Sequence, residues 1–257
     1  MKRSNNILYA LFFAILLVIL AIGAYGLAMR GTDTAGCLDA HGNDAPSISA
    51  SAGWVKADLH MHTNYSDGSA TPREIVSQAI EQGLNVIAIT DHNTIDGALE
   101  ARSIVLKENL PIQVIVGEEV WTEQGDLLAY FLEKRIAPGK LRDALSDAKE
   151  QGALTAAAHP YDSKRNAIKL DALDLSEAGM LDAIEVRNGR ITDEEQNRQA
   201  LEYALAHKKA MIANSDAHRA QDIGKAYMLF KTGGELDKAD IIGAERLVCG
   251  VLRQQQN

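Results

Sequence analysis

Four of the seven histidines in this 257-residue chain fall in short clusters with carboxylates, and a fifth, His159, falls in the motif AAHP. DLHMHTNYSDG carries His60, His62 and Asp67, and TDHN carries Asp91 and His92. GEEV carries Glu118 and Glu119, with Asp126 shortly after it, and AAHP holds His159. EVRNG supplies Glu185, Arg187 and Asn188, and NSDAH supplies Asp216 and His218. Imidazole nitrogens and carboxylate oxygens are the ordinary donors to divalent transition metals. His60/His62 and Asp216/His218 are spaced i,i+2, which on an extended strand points both side chains to one face, as two ligands of one ion require. Any one cluster has a plainer reading. An HxH pair is more often an accident of surface or core, a His before Pro more often a loop residue, and a GEE pair more often a solvated strand end. Their joint placement carries the weight. Gathered at one mouth, these groups would repel and waste desolvation energy unless cations joined them. The other two histidines, His41 and His207, sit in a polar segment and on a helix face expected to be exposed.

The elements that must position these residues follow from the hydrophobic pattern. Short apolar runs occur at Trp54–Leu59, Val86–Thr90, Ile112–Val116, Ala153–Ala158, Ala183–Val186, Ala210–Ala213 and Tyr227–Phe230. Helical patterns alternate with them at Pro72–Gln82, Asp96–Glu108, Leu141–Gln151, Glu194–His207 and Lys238–Leu252. Pro72 behind Thr71 is a good helix start, and Gly83 and Gly152 are good stops. One hairpin interrupts the alternation, from Val116–Val120 through a turn at Gln124-Gly125 to Leu127–Leu132. Strand–helix alternation predicts parallel βα units, and about seven of them predict a closed α/β barrel. The ligand-type clusters lie where strands end, and in a barrel those ends converge on one mouth.

Outside the barrel region, Lys2 and Arg3 precede an uncharged run from Ile7 to Met29. That run meets the need for about 20 apolar residues to cross a hydrocarbon core. Residues 1–30 are therefore expected to form a single-pass membrane anchor, with a signal cleaved on secretion as the alternative. The cations before the run place the N-terminus in the cytoplasm and the catalytic part outside it. Residues 31–53 read as a flexible tether and residues 54–257 as the catalytic barrel. The formal net charge of −9 lacks the broad basic footprint of a duplex nucleic-acid binder. Cys37 lies in a polar segment and Cys249 in an apolar helical pattern, so a disulfide is not expected.

HMHTNYSDG, TDHNT, GEEV, AAHP, EVRNG and NSDAH, in this order, resemble the PHP (polymerase and histidinol phosphatase) superfamily over roughly Lys56 to Gly224. The resemblance implies a distorted (β/α)7 TIM-like barrel, two to three divalent ions (Mn, Fe or Zn), and hydrolysis of phosphate mono- or diesters by a metal-bridging hydroxide. By position it implies His60, His62, Glu119 and Asp216 around one ion. Glu119 would bridge to a second ion with His159, and Asp67, His92 and His218 would hold a third. Glu119 is preferred to Glu118 because the family pattern is Gly-x-Glu. Asp126 stands where many members place a histidine, and is expected to bind the ion shared by Glu119 and His159, with a solvated turn residue as the alternative. His218 or Asp67 would protonate the leaving group, and Asp91 would orient its neighbours. Arg187, Arg219 and Asn188 are the favoured substrate contacts, ahead of Lys164, Arg165 and Arg190. The expected partner is a small phosphorylated substrate or short oligonucleotide. An amidohydrolase-like enzyme and a catalytically weak metal-binding module are the rival readings.

Overall fold

The computed structural model describes residues 37–45 and 53–250. Strands β1 (Trp54–Asp58), β2 (Val86–Ile89) and β3 (Gln113–Val120) lie side by side and parallel. β2 reads VIAI and is buried throughout, the unbroken apolar run of a strand covered on both faces. β3 then turns back into β4 (Leu127–Tyr130), which is antiparallel to both β3 and β5 (Leu154–Ala157). The hairpin depends on Gly125: its φ is +131°, and a Cβ there would stand 2.2 Å from the Ile168 backbone nitrogen. Parallel pairing resumes through β6 (Ala183–Asn188) and β7 (Ala210–Asn214). On the far side of β1 lie β8 (Tyr227–Lys231) and β9 (Arg246–Cys249), both antiparallel to their neighbours. The order is β7-β6-β5-β4-β3-β2-β1-β8-β9. The end of β7 returns to the end of β1, where Leu59 N–H donates to Asn214 Oδ1 at 3.0 Å and His62 N–H to Ala217 O at 2.8 Å. The result is a nearly closed α/β barrel.

The connections are helices α1 (Pro72–Glu81), α2 (Asp96–Glu108), α3 (Leu141–Glu150), α4 (Leu175–Met180), α5 (Glu194–Ala206) and α6 (Lys238–Gly243). α3 buries Leu141, Ala144, Leu145 and Ala148, an i, i+3, i+4, i+7 stripe against the sheet. α1 begins as its sequence predicts, at Pro72 behind Thr71, and Thr71 and Glu74 form a reciprocal capping box across its first turn.

Four expectations need correction. The (β/α)7 alternation holds only in part: β4 runs against its neighbours as the expected hairpin requires, but the Tyr227–Phe230 strand is antiparallel as well. The helical pattern at Lys238–Leu252 divides into α6 and β9 within the described residues, because Gly243 and Ala244 end the helix and Arg246 opens a strand paired with β8. Cys249 therefore sits on a strand, and it is joined to Cys37 by a disulfide across 212 residues of sequence. Leu38 adds a bridge to Val248, fixing residues 37–45 on β9. The membrane-anchored location is likewise not sustained, since no helix among the described residues is long and apolar enough to cross a membrane. The Ile7–Met29 run itself lies outside the described residues.

Candidate metal centre

Six strand ends deliver the predicted ligands to one mouth. His60 and His62 follow β1, His92 follows β2, Glu119 closes β3, Asp126 opens β4, His159 follows β5, and Asp216 and His218 follow β7. His60 and His62, spaced i,i+2, bring their Nε2 atoms within 3.1 Å of each other. Glu119 Oε2 lies 3.1 Å from both, and Asp216 Oδ1 lies 3.6 and 3.4 Å away. Four buried donor atoms thus converge on one point, a set suited to a divalent cation. Glu119 turns its other oxygen to His159 Nε2 at 2.9 Å, and Asp126 completes that second group. Asp126 is only 6% exposed and accepts from Asn166 Nδ2 at 2.9 Å, so it is not a solvated turn residue. A third group joins His62, Asp67, His92 and His218, with Asp67 Oδ2 3.0 Å from His218 Nε2 and 3.7 Å from His92 Nε2. His62 Nδ1 and His159 Nδ1 are buried without hydrogen-bond partners. His41 and His207 stay outside and exposed.

The electrostatics match a site built for cations. Burial opposes charge on His60, yet Asp216, Glu119 and Glu185 hold its pKa well above the usual imidazole value. Burial also opposes charge on His62, but Asp216 and Glu119 lift it to about 9. Glu119 and Asp216 are held well below the carboxylate range by the same imidazoles, despite their burial. Asp67 is partly buried, but His218 and His62 bring it down to about 2. Asp126 is pushed up to about 6, first by burial and then by the charge of Glu119. The backbone is strained in the same place: His159 and Asp216 have φ of +27° and +53°, and Asn93 beside His92 has +53°.

A polar layer lies under the ligands. Asp91 accepts from Thr63 N–H, Thr63 Oγ1 and Ser66 Oγ, each at 2.7 Å, and so shapes the loop between His62 and Asp67. Asp58 accepts from Ser215 N–H at 3.0 Å and Gly224 N–H at 2.9 Å, bracketing the loop of Asp216 and His218. Glu185 is fully buried between His60 and the β5–β7 ends. Asn188 donates to Asp216 Oδ2 at 3.0 Å.

The cations are arranged differently from expectation. Arg187 is buried and paired with Glu194 on α5, and exposed Arg219 donates to Asp222 at 2.8 Å. A register shift in β6 between Glu185 and Arg187 explains the first. It brings Glu185 and Asn188 together at the mouth, although three apart, and turns Arg187 towards α5. Arg219 is occupied by a carboxylate three residues on. Arg165 and Arg190 reach the centre instead. Arg165 pairs with Asp216 and donates to Asn188 Oδ1 at 3.2 Å, while Arg190 Nη1 lies 2.9 Å from both ring nitrogens of His218.

Comparison with known proteins agrees with this geometry. The PHP domain family model matches residues 58–249. An uncharacterised protein of Methanocaldococcus jannaschii is 36% identical over 159 residues, covering 57% of this chain and 90% of that one. The 5'-3' exoribonuclease of Salmonella typhimurium is 35% identical over 96 residues, 37% of this chain and 33% of the exoribonuclease. Among solved structures, a two-domain protein of Bacteroides vulgatus containing a PHP-like metal-dependent phosphoesterase superposes with a TM-score of 0.58 at 24% identity, covering 69% of this chain and 58% of that one. That likeness is one of fold.

Proposed function

The chain belongs to the PHP domain family, and from that premise we propose that it is a metal-dependent phosphoesterase acting on a small phosphorylated substrate or a short oligonucleotide. The observation that carries this reading is the convergence of His60, His62, Glu119 and Asp216 on one point, with Arg165 and Arg190 beside it. Divalent ions held there would polarise a phosphoryl oxygen and acidify a water molecule. Around them the side chains have distinct tasks. Arg165 and Arg190 neutralise the non-bridging oxygens of the phosphate, a role that Arg187 and Arg219 are turned away from. Asn188 orients Asp216 and Arg165. His218, paired with Asp67 at the solvent side of the mouth, is the group of this pair that would carry a proton to the leaving oxygen when the third group holds no ion. Asp126 adds a hard oxygen to the Glu119–His159 group, which favours Mn, Mg or Fe(II) over Zn. Tyr65 and Trp121, 45% and 47% exposed, stand three residues beyond His62 and two beyond Glu119. Their ring faces suit a base or sugar, as in nucleotide substrates.

The purified chain, loaded with Mn, should hydrolyse members of a panel of phosphate mono- and diesters and lose that activity on chelation. Turnover of simple amides or lactones with no phosphoester turnover would favour the amidohydrolase-like alternative.

A further inference from the structure

Glu185 belongs to none of the groups of metal-binding donors, yet its buried carboxylate accepts four hydrogen bonds. Its Oε1 accepts from His60 Nδ1 at 3.0 Å and from Asn214 Nδ2 at 2.9 Å. Its Oε2 accepts from the His159 backbone N–H at 2.7 Å and from Asn188 Nδ2 at 2.9 Å. The residue is 1% exposed. A buried carboxylate with four donors is held in one pose, and here each donor leads to a candidate ligand. His60 is one itself, and the His159 N–H belongs to another. Asn188 passes on to Asp216 Oδ2, and Asn214 Oδ1 accepts from Leu59 N–H, immediately before His60.

We propose that Glu185 is the positioning residue of the metal centre: by accepting from His60 Nδ1 it keeps Nε2 free for an ion, and by its other bonds it sets His159 and Asp216 around the same point. This rests on the metal-centre reading above and extends it to a residue that touches no ion. The atomic logic is the tautomer. The neutral imidazole, the form that would bind an ion once the second proton has left, carries one N–H, and a carboxylate at Nδ1 fixes that proton there, leaving the Nε2 lone pair as the donor. The β6 register shift is what brings Glu185 and Asn188 to the same side, so the irregularity in the strand serves this layer.

Glu185→Gln tests the idea directly. An amide replaces one acceptor oxygen by a donor NH2, which must face either His60 Nδ1–H or the His159 N–H. In the first case His60 is driven to the tautomer with hydrogen on Nε2, the nitrogen that should bind the ion. Glu185→Asp is the companion variant, since it keeps the charge but withdraws the oxygens by one methylene and leaves little cavity. Mn affinity of the full chain would be measured by equilibrium dialysis, alongside the melting temperature of the metal-free protein. Affinity should fall about 10–100-fold in both variants, the range for lost partners of metal-bound histidines, while the metal-free melting temperature of Glu185→Asp stays within a few degrees of the wild type. Unchanged affinity in a folded variant overturns the proposal and leaves the phosphoesterase reading intact. A wild-type chain that binds under one Mn overturns both.

Discussion

Glu118 and Glu119 are neighbours on β3 whose side chains point to opposite faces, and their surroundings could hardly differ more. Glu119 meets His60, His62 and His159 inside the mouth. Glu118 is buried on the other side, where one oxygen accepts from Ile136 N–H at 2.7 Å and Oε1 has no partner. Burial raises its pKa from 4.5 to about 7, against the pull of Arg135. A carboxyl with a raised folded pKa contributes stability below its unfolded value and loses it as pH climbs to the folded one, here between pH 4.5 and 7. Glu118→Gln should therefore leave the melting temperature near pH 4.5 almost unchanged and raise it at pH 8. The pH-8 gain is at most on the order of 3 kcal/mol, at 1.36 kcal/mol per pKa unit. Melts of the metal-free chain at the two pH values decide it, and a lower melting temperature at pH 8 would count against the assignment. Sequence alternation places the two glutamates on opposite faces but does not say which face is inside. The Gly-x-Glu resemblance, not periodicity, selected Glu119.

At the scale of elements, the strand ends were legible and their irregularities were not. His60 and His62 keep the i,i+2 rule and meet. Glu185 and Arg187 have the same spacing and part, because an extra residue in β6 resets the alternation without leaving a mark in the local sequence. The end of the chain shows the same limit. Asp237 and Asp240 cap α6 as a helix start should, yet the apolar pattern runs on past Gly243 into a strand, and a helical template fits both. The start of α2 shows how closely these elements bear on the site. A Cβ on Gly97 would stand 2.2 Å from Asp91 Oδ2 and 2.6 Å from Thr63 Oγ1, the pair that shapes the loop between His62 and Asp67. Gly97→Ala should cost about 1–3 kcal/mol of stability, as overpacking does. It should also weaken Mn binding at the His62–Asp67–His92–His218 group. Thermal melts of the metal-free chain and Mn titration would check this, and a variant unchanged in both would show that α2 yields easily.

For the whole molecule, the barrel class was readable because six parallel strands keep their apolar runs, and the ligand clusters fall where a barrel puts its mouth. The Cys37–Cys249 bond was not readable, since its ends meet only after β9 has folded beside β8 and residues 37–45 have docked on β9. In the chain-entropy account, a crosslink spanning 212 residues stabilises by on the order of 5 kcal/mol. Reduction, or Cys37→Ser, should lower the melting temperature while leaving Mn stoichiometry unchanged, because neither sulfur belongs to the metal centre. Melting with and without reductant, paired with elemental analysis, tests both halves, and an unchanged melting temperature would show that the bond constrains little. The bond also has a topological consequence: it closes a covalent ring from Cys37 to Cys249 that holds every candidate ligand of the metal centre. A single backbone cut anywhere inside that ring leaves the two pieces joined through sulfur.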